Sequence, residues 1–290
     1  MALVGQALDA AQGALHAAGV ADSRREASEL YAALIQGATS AAFLCRDESL
    51  PADVERRLAE AVSRRVAGWP QAYATGWACF RGYWLEVDRR VLIPRPETEG
   101  LVELVLEWVR ARGGGDGGPG LTGVDVGTGS GAVAVALARE APFARVWAVD
   151  RSVEALAVAR ANARRFGVDS AVAVVAGDLL EPLGGRRVDT VVSNPPYVAT
   201  GELGSLDPSV RDFEPLQALD GGSDGLDPTR RVARAARAAL TPGGFLAIEV
   251  DSRRATESAA AVEEAGFPAA AIAYDLFQRP RYVWAEQPGA

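Results

Sequence analysis

Asp125-Val126-Gly127-Thr128-Gly129-Ser130-Gly131-Ala132 is the stretch that decides how this chain folds. Val124–Val126 is a short apolar strand candidate, and Ala132–Arg139 behind it repeats apolar residues at helical spacing. The three glycines therefore stand where a strand turns into a helix. Glycine there lets the backbone turn sharply and lets a ligand approach the N–H groups of the helix N-terminus closely. Asp150 lies 23 residues beyond Gly127, at the end of the next strand candidate, where a carboxylate can accept both hydroxyls of a ribose. Gly127, Gly129 and Ala132 also satisfy the G-x-G-x-x-G/A dinucleotide fingerprint, so the loop alone leaves the nucleotide class open.

Working outward, further strands are predicted at Val146–Val149, Val172–Val175, Thr190–Ser193 and Phe245–Val250. Helices are predicted at Glu97–Arg112, Val153–Phe166, Pro228–Leu240 and Arg254–Glu264, and Ile272–Leu276 and Arg281–Ala285 supply two more strand candidates. This alternation implies an α/β domain with a mostly parallel sheet, helices on both faces. Gly113–Gly120 (GGGDGGPG) reads as a flexible loop. Upstream the texture changes. Residues 1–75 read as helices, with a capping box from Ser23 to Glu26, one apolar face at Ala27, Leu30 and Leu34, and another at Leu58, Val62 and Val66. Aromatic and β-branched residues between Tyr73 and Leu92 suggest a hairpin, with Trp69, Trp77 and Trp84 packed on it. The expected organisation is a helical domain (1–75), a hairpin connector (76–92) and a catalytic domain (93–290).

Composition narrows the chemistry. Two cysteines, Cys45 and Cys79, cannot make a disulfide framework or a four-thiolate zinc site, and read as small buried apolar residues. The single histidine, His16, argues against a Ser-His-Asp triad, and no metal is expected. Residues 1–90 carry a net charge of −1 and residues 91–290 a net of −7, with no basic tract, so the electrostatic footprint of a duplex-DNA binder is missing. No apolar run reaches the roughly 18 residues of a membrane helix, and the first twenty residues lack the pattern of a secretory signal. A cytoplasmic protein is expected.

Asn194-Pro195-Pro196-Tyr197, closing the fourth strand, resolves what the glycine loop leaves open. It resembles the (Asn/Asp)-Pro-Pro-(Tyr/Phe/Trp) signature of class I S-adenosylmethionine methyltransferases that act on planar nitrogen. An amide or exocyclic amine nitrogen is a poor nucleophile because its lone pair is conjugated. The Asn194 side-chain oxygen and the Pro195 carbonyl can each accept one N–H, aim the lone pair at a methyl donor and stabilise the charge that develops. The prolines stiffen the turn, and Tyr197 offers a flat face to a planar group. No base is needed before attack.

Longer elements are more specific. Leu92-Ile93-Pro94-Arg95-Pro96-Glu97-Thr98-Glu99, Gly68-Trp69-Pro70-Gln71-Ala72-Tyr73, Phe80-Arg81-Gly82, Phe213-Glu214-Pro215-Leu216-Gln217-Ala218-Leu219, Asp224-Gly225-Leu226 and Gly243-Gly244-Phe245-Leu246 follow in an order similar to that of the peptide chain release factor glutamine methyltransferases, the HemK/PrmC family. The resemblance runs from about residue 20 to about residue 285. It implies a Rossmann-like catalytic domain in which Gly127, Thr128, Gly129, Ser130, Gly131, Asp150, Asp178, Leu179 and Asn194 hold S-adenosylmethionine. Asn194, Pro195, Pro196 and Tyr197 would hold the glutamine amide, with Asn194, Pro195 and Tyr197 catalytic and S-adenosylhomocysteine as by-product. The implied partners are class 1 release factors, docked in part by the helical domain, and the implied product is N5-methylglutamine in their Gly-Gly-Gln tripeptide. Arg95 and Glu97 would brace the catalytic floor or join the domains. The tetrad also suits an exocyclic amine of nucleic acid, adenine N6 or guanine N2, but the acidic catalytic half speaks against that alternative. Two departures stand out: Glu249-Val250-Asp251 where the family has Glu-x-Gly, and a missing glycine near Tyr274–Tyr282.

Overall fold

The structure, a computed structural model, describes residues 2–112, 120–141 and 143–289. It forms two compact units, Met1–Arg89 with Asp207–Phe213, and Arg90–Leu206 with Glu214–Ala290. The glycine-rich stretch expected to be a loop lies, up to its last residue, outside the described residues.

The first unit holds helices α1 (Val4–Ala17), α2 (Ser23–Ile35), α3 (Ala41–Leu44), α4 (Ala52–Val66) and α5 (Gln71–Thr75) and a hairpin of β1 (Trp77–Phe80) and β2 (Tyr83–Glu86). Leu8, Leu15, Leu30, Leu34, Leu50, Leu58 and Val62 form its core. Three expectations fail here. Ser23 is the first helical residue, buried, behind Asp22 at the N-cap, and no side chain caps this helix end. Val66, in the last turn of α4, is 47% exposed, because the core that α4 lines ends at Val62. Cys79 is exposed, since strand alternation turns its neighbours Ala78 and Phe80 inward. Trp69 packs on Phe213 from the distant segment of this unit, their rings 5.4 Å apart, and the Arg89 guanidinium lies 5.6 and 5.4 Å from the two ring centres.

The second unit is built on seven strands: β3 (Leu121–Val126), β4 (Phe143–Asp150), β5 (Val172–Ala176), β6 (Val188–Ser193), β7 (Leu240–Glu249), β8 (Ala271–Tyr274) and β9 (Pro280–Glu286). Their order is β5-β4-β3-β6-β7-β9-β8, parallel from β5 to β7, with β9 antiparallel to both β7 and β8. Helices α6 (Thr98–Ala111), α7 (Ala132–Glu140) and α8 (Val153–Arg165) pack side by side. The four-residue helix α9 (Pro208–Arg211) belongs to the first unit's Asp207–Phe213 segment, while α10 (Asp227–Ala239) and α11 (Ala255–Glu264) of the second unit pack on one another. Val124, Val191, Leu246, Ile248 and Val283 are fully buried, as expected of apolar strands covered on both faces. The chain moves outward from β3 to β5, then returns to β6 on the other side of β3. The loops that follow β3 and β6 therefore part at the carboxyl ends of adjacent strands, where open α/β sheets bind ligands.

Candidate active site

The glycine loop leaves β3 with Gly127, Gly129 and Gly131 at φ of 72°, 53° and 81°, a left-handed region that other residues enter at a cost of about 1–2 kcal/mol each. An added Cβ at Gly127 would meet nothing within 4 Å, so this glycine serves the turn and leaves open space beside the backbone. Gly127 and Thr128 both donate their N–H groups to the Val149 carbonyl, at 2.8 and 3.0 Å. Asp150 accepts from Gly129 N at 2.9 Å with one oxygen and from Ser152 N at 2.9 Å with the other. Each oxygen keeps a further lone pair for a ligand. Thr128 and Ser130 are buried. The Thr128 hydroxyl donates to Asp125 at 2.5 Å, and the Ser130 carbonyl accepts from the buried Asn162 amide at 2.8 Å. The Thr128 side chain and the Ser130 backbone are thus occupied in holding the loop, and Asn162, on α8, is a supporting residue that no local motif announces.

Asp125 also accepts from Ala134 N at 3.2 Å, tying the loop to the first turn of α7. Burial pushes its carboxyl up to about 7, against the pull of Thr128 and Ala134, and nearby Asp150 adds to the rise. In the unfolded chain it ionises near the ordinary 3.8. Between those values the folded state holds the extra proton, so this group's contribution to stability falls as pH rises from about 4 to 7 and is level above. Asp125→Asn, which cannot ionise, is expected to gain on the wild type at pH 8 by up to about 4 kcal/mol, and by little at pH 4. Urea unfolding at the two pH values measures the difference.

Asp178 follows β5 and takes an ion pair from Arg231 on α10, and Leu179 behind it adopts φ 50°. These two, with Leu183, Arg186, Arg231 and Ala235, line a cavity of about 360 Å³.

The tetrad begins directly after Ser193, whose hydroxyl donates to the Val126 carbonyl at 2.8 Å and so couples the ends of β6 and β3. Asn194 is half-buried and Pro195 buried. The Asn194 Nδ2 donates to Thr98 Oγ1 at 3.0 Å, and Thr98 Oγ1 donates to Glu249 Oε2 at 2.7 Å. Tyr197 Oη reaches Glu249 Oε1 at 3.4 Å. Among the described residues no hydrogen bond reaches Asn194 Oδ1 or the Pro195 carbonyl. Burial raises the Glu249 carboxyl to about 7, with Thr98, Arg281 and Tyr197 opposing and Glu97 adding to the rise. Burial, then Glu249, hold the Tyr197 phenol well above its ordinary value, so it stays protonated. Beyond the tetrad, Val198 N donates to Leu219 O and Gly221 N to Val198 O, and a Cβ on Gly225 would stand 2.5 Å from the Tyr197 carbonyl oxygen. Gly225 is required by that close approach.

The element Pro94–Glu99 divides its labour. Arg95 is paired with the buried Glu214 at 2.5 Å, and Glu214 also accepts from Ile93 N. Glu97 is paired with Arg279 at 2.8 Å, and the Tyr282 hydroxyl donates to its carbonyl. Thr98 alone of this element bonds to the tetrad. Asp251 joins Arg253 and Arg254, and both arginines grip Glu202 in the segment after the tetrad. Near the C-terminus Gln278 adopts φ 60° in a turn that Asp275 holds by accepting from Phe277 N and Arg279 N at 2.9 Å each.

A mostly parallel sheet with antiparallel β9 inserted between β7 and β8, a glycine loop after β3 and Asn-Pro-Pro-Tyr after β6 defines a class I methyltransferase. Family models agree: a PrmC N-terminal domain matches residues 6–76 and a methyltransferase small domain residues 116–205. The chain is 39% identical over 98% of both chains to a release factor glutamine methyltransferase of Cereibacter sphaeroides, and 43% identical over 85% of both to one of Moorella thermoacetica. It belongs to the release factor glutamine methyltransferase family. Among solved structures, a methyltransferase from Pyrococcus furiosus matches with a TM-score of 0.51 at 15% identity, covering 80% of this chain and 98% of that one. A 16S rRNA methyltransferase of T. thermophilus, solved with AdoMet and guanosine, matches with a TM-score of 0.51 at 20% identity over 73% of this chain and 49% of that one. At such identities they attest the fold. No helix among the described residues is long and apolar enough to cross a membrane.

Proposed function

We propose that this enzyme transfers a methyl group from S-adenosylmethionine to the side-chain amide nitrogen of the glutamine in the Gly-Gly-Gln tripeptide of class 1 release factors. One observation carries the reading: a rigid turn with two carbonyl oxygens, Asn194 Oδ1 and Pro195 O, that the described residues leave unbonded, coupled through Ser193 to the strand that bears the glycine loop. Two acceptors are what an NH₂ group with two protons to place requires.

The residues present suit the methyl donor. The open backbone at Gly127 and the spare lone pairs of Asp150 fit a nucleoside, with Asp150 on the ribose and Asp178 and Leu179 on the adenine. Thr128, Ser130 and Gly131 shape the loop, and Asn194 closes the donor site. When bound, the donor supplies an electrophilic methyl group on a sulfonium. Asn194 and Pro195 hold the two amide protons and so aim the nitrogen lone pair, and Tyr197 and Pro196 give the carboxamide a flat, stiff floor. As the nitrogen gains positive charge its protons are gripped more strongly, which lowers the barrier, and the proton it then loses passes to solvent water, with no resident base required. The helical first unit, which carries the PrmC N-terminal match, would help dock the release factor. A translation factor as substrate fits the cytoplasmic location expected from the sequence.

The test is mass spectrometry of a purified class 1 release factor incubated with the enzyme and isotope-labelled S-adenosylmethionine. One methyl group on the Gly-Gly-Gln glutamine is the expected result. An unmodified release factor, or label appearing in nucleic acid instead, overturns the reading.

A further inference from the structure

We infer that Thr98 and Glu249 are positioning residues that decide which way round the Asn194 amide sits. The inference rests on Asn194 holding the substrate amide as described above, and it goes further by naming what makes Asn194 fit for that role.

A primary carboxamide is nearly symmetric in shape, so its oxygen and nitrogen can exchange places by rotation about the last side-chain bond. Only one arrangement serves. With Oδ1 toward the substrate, Asn194 accepts an N–H; reversed, it would set its own N–H groups against those of the glutamine. Packing cannot make the choice, because the two ends are of equal size. Proton inventory can.

Thr98 is buried, and its hydroxyl carries one proton. That proton goes to Glu249, whose side chain accepts on both oxygens, from Thr98 at 2.7 Å and from Tyr197 at 3.4 Å. An ionised carboxylate has no proton to return. The Thr98 oxygen can then only accept, and what it accepts at 3.0 Å is an Asn194 N–H. Polarity therefore runs one way, from Asn194 to Thr98 to Glu249, and leaves Oδ1 as the free end. Were Glu249 protonated, its O–H could donate to Thr98, the Thr98 proton would turn to Asn194, and the amide would be held in reverse. Glu249 faces Glu97 on the segment leading into α6, Tyr197 in the tetrad, and Arg281 and Tyr282 on β9; Arg281 favours its charged form and Glu97 opposes it. The lock spans 151 residues, from Thr98 in the Pro-Arg-Pro-Glu-Thr-Glu element to Glu249 at the end of β7.

The experiment compares wild type, Thr98→Val, Thr98→Ser and Glu249→Gln in steady-state methylation of a release factor. Thr98→Val keeps the shape but neither gives nor takes a proton. Its kcat is expected to fall about 10- to 100-fold, with KM for the release factor and affinity for S-adenosylmethionine within about threefold of wild type. Thr98→Ser, which keeps the hydroxyl, should recover activity to within about threefold of wild type. The wild-type pH profile should fall off below about pH 7, and Glu249→Gln, itself impaired, should lose that acid limb. A readout free of the substrate is the Asn194 side-chain NH₂ signal in ¹⁵N NMR, identified by its loss in Asn194→Ala: slow to exchange in wild type and Thr98→Ser, fast in Thr98→Val. Equal kcat in wild type and Thr98→Val, equal impairment of Thr98→Ser and Thr98→Val, or an NH₂ signal indifferent to Thr98→Val overturns the inference. A wild type that leaves release factor unmethylated while the NMR signal responds as expected overturns the functional reading and leaves the lock standing.

Discussion

Asn194→Ala is expected to lower kcat/KM for release factor methylation by about 100- to 1000-fold, the loss typical when one preorganised hydrogen-bonding group is taken from a reacting centre. On the proposed reading the side chain supplies one of two acceptors for the amide protons, and its removal leaves Pro195 to hold the nitrogen alone. The loss should fall mainly on kcat, because the grip tightens as charge develops on nitrogen. Structure should survive. Asn194 is half-buried, and its one side-chain bond among the described residues is to Thr98, so circular dichroism and thermal unfolding should change little. Turnover near that of the wild type would remove the two-acceptor mechanism.

Asp150→Ala is expected to act on the donor instead. Affinity for S-adenosylmethionine, read by calorimetry, should weaken by at least about 100-fold, since each of two hydrogen bonds to a carboxylate contributes roughly 1.5 kcal/mol or more. At saturating donor, kcat should return to within about threefold of wild type, because among the described residues no hydrogen bond joins Asp150 to the tetrad. The variant also frees Gly129 N and Ser152 N, which loosens the loop and adds to the loss. Asp150→Asn, which can still accept at one oxygen, should fall between. Undiminished binding in Asp150→Ala would show that the ribose lies elsewhere.

The two variants separate the halves of the site, and the contrast with Thr98 separates contact from support. Asn194 and Asp150 were legible in the sequence because each stands beside residues with strong local conformational demands. Three glycines force a left-handed path between β3 and α7, and two prolines stiffen the turn after β6. Alternating apolar strands and helices likewise announce a parallel sheet. In the sequence Thr98 stands out only as part of a motif and Glu249 only as part of a departure, because a lone hydroxyl or carboxylate carries no record of its partner.

Other assignments shifted for the same reason. Cys79 reads as buried by residue type, yet lies on the outward side of its strand. Val66 continues an apolar stripe at helical spacing, but the core it would join has already ended. Phe213 sits between catalytic motifs in the chain and packs with Trp69 in the first unit.

By itself the sequence determined the strand-to-helix order and the two restricted turns, after β3 and after β6, on which the proposed site rests, since backbone restriction and hydrophobic period act over a few residues. Only the tertiary structure decided which buried polar groups complete the site. Thr98, Asn194 and Glu249 meet because β6 and β7 pair in parallel and α6 packs on β7, and such pairings are set by the burial of the whole sheet rather than by any neighbouring residue.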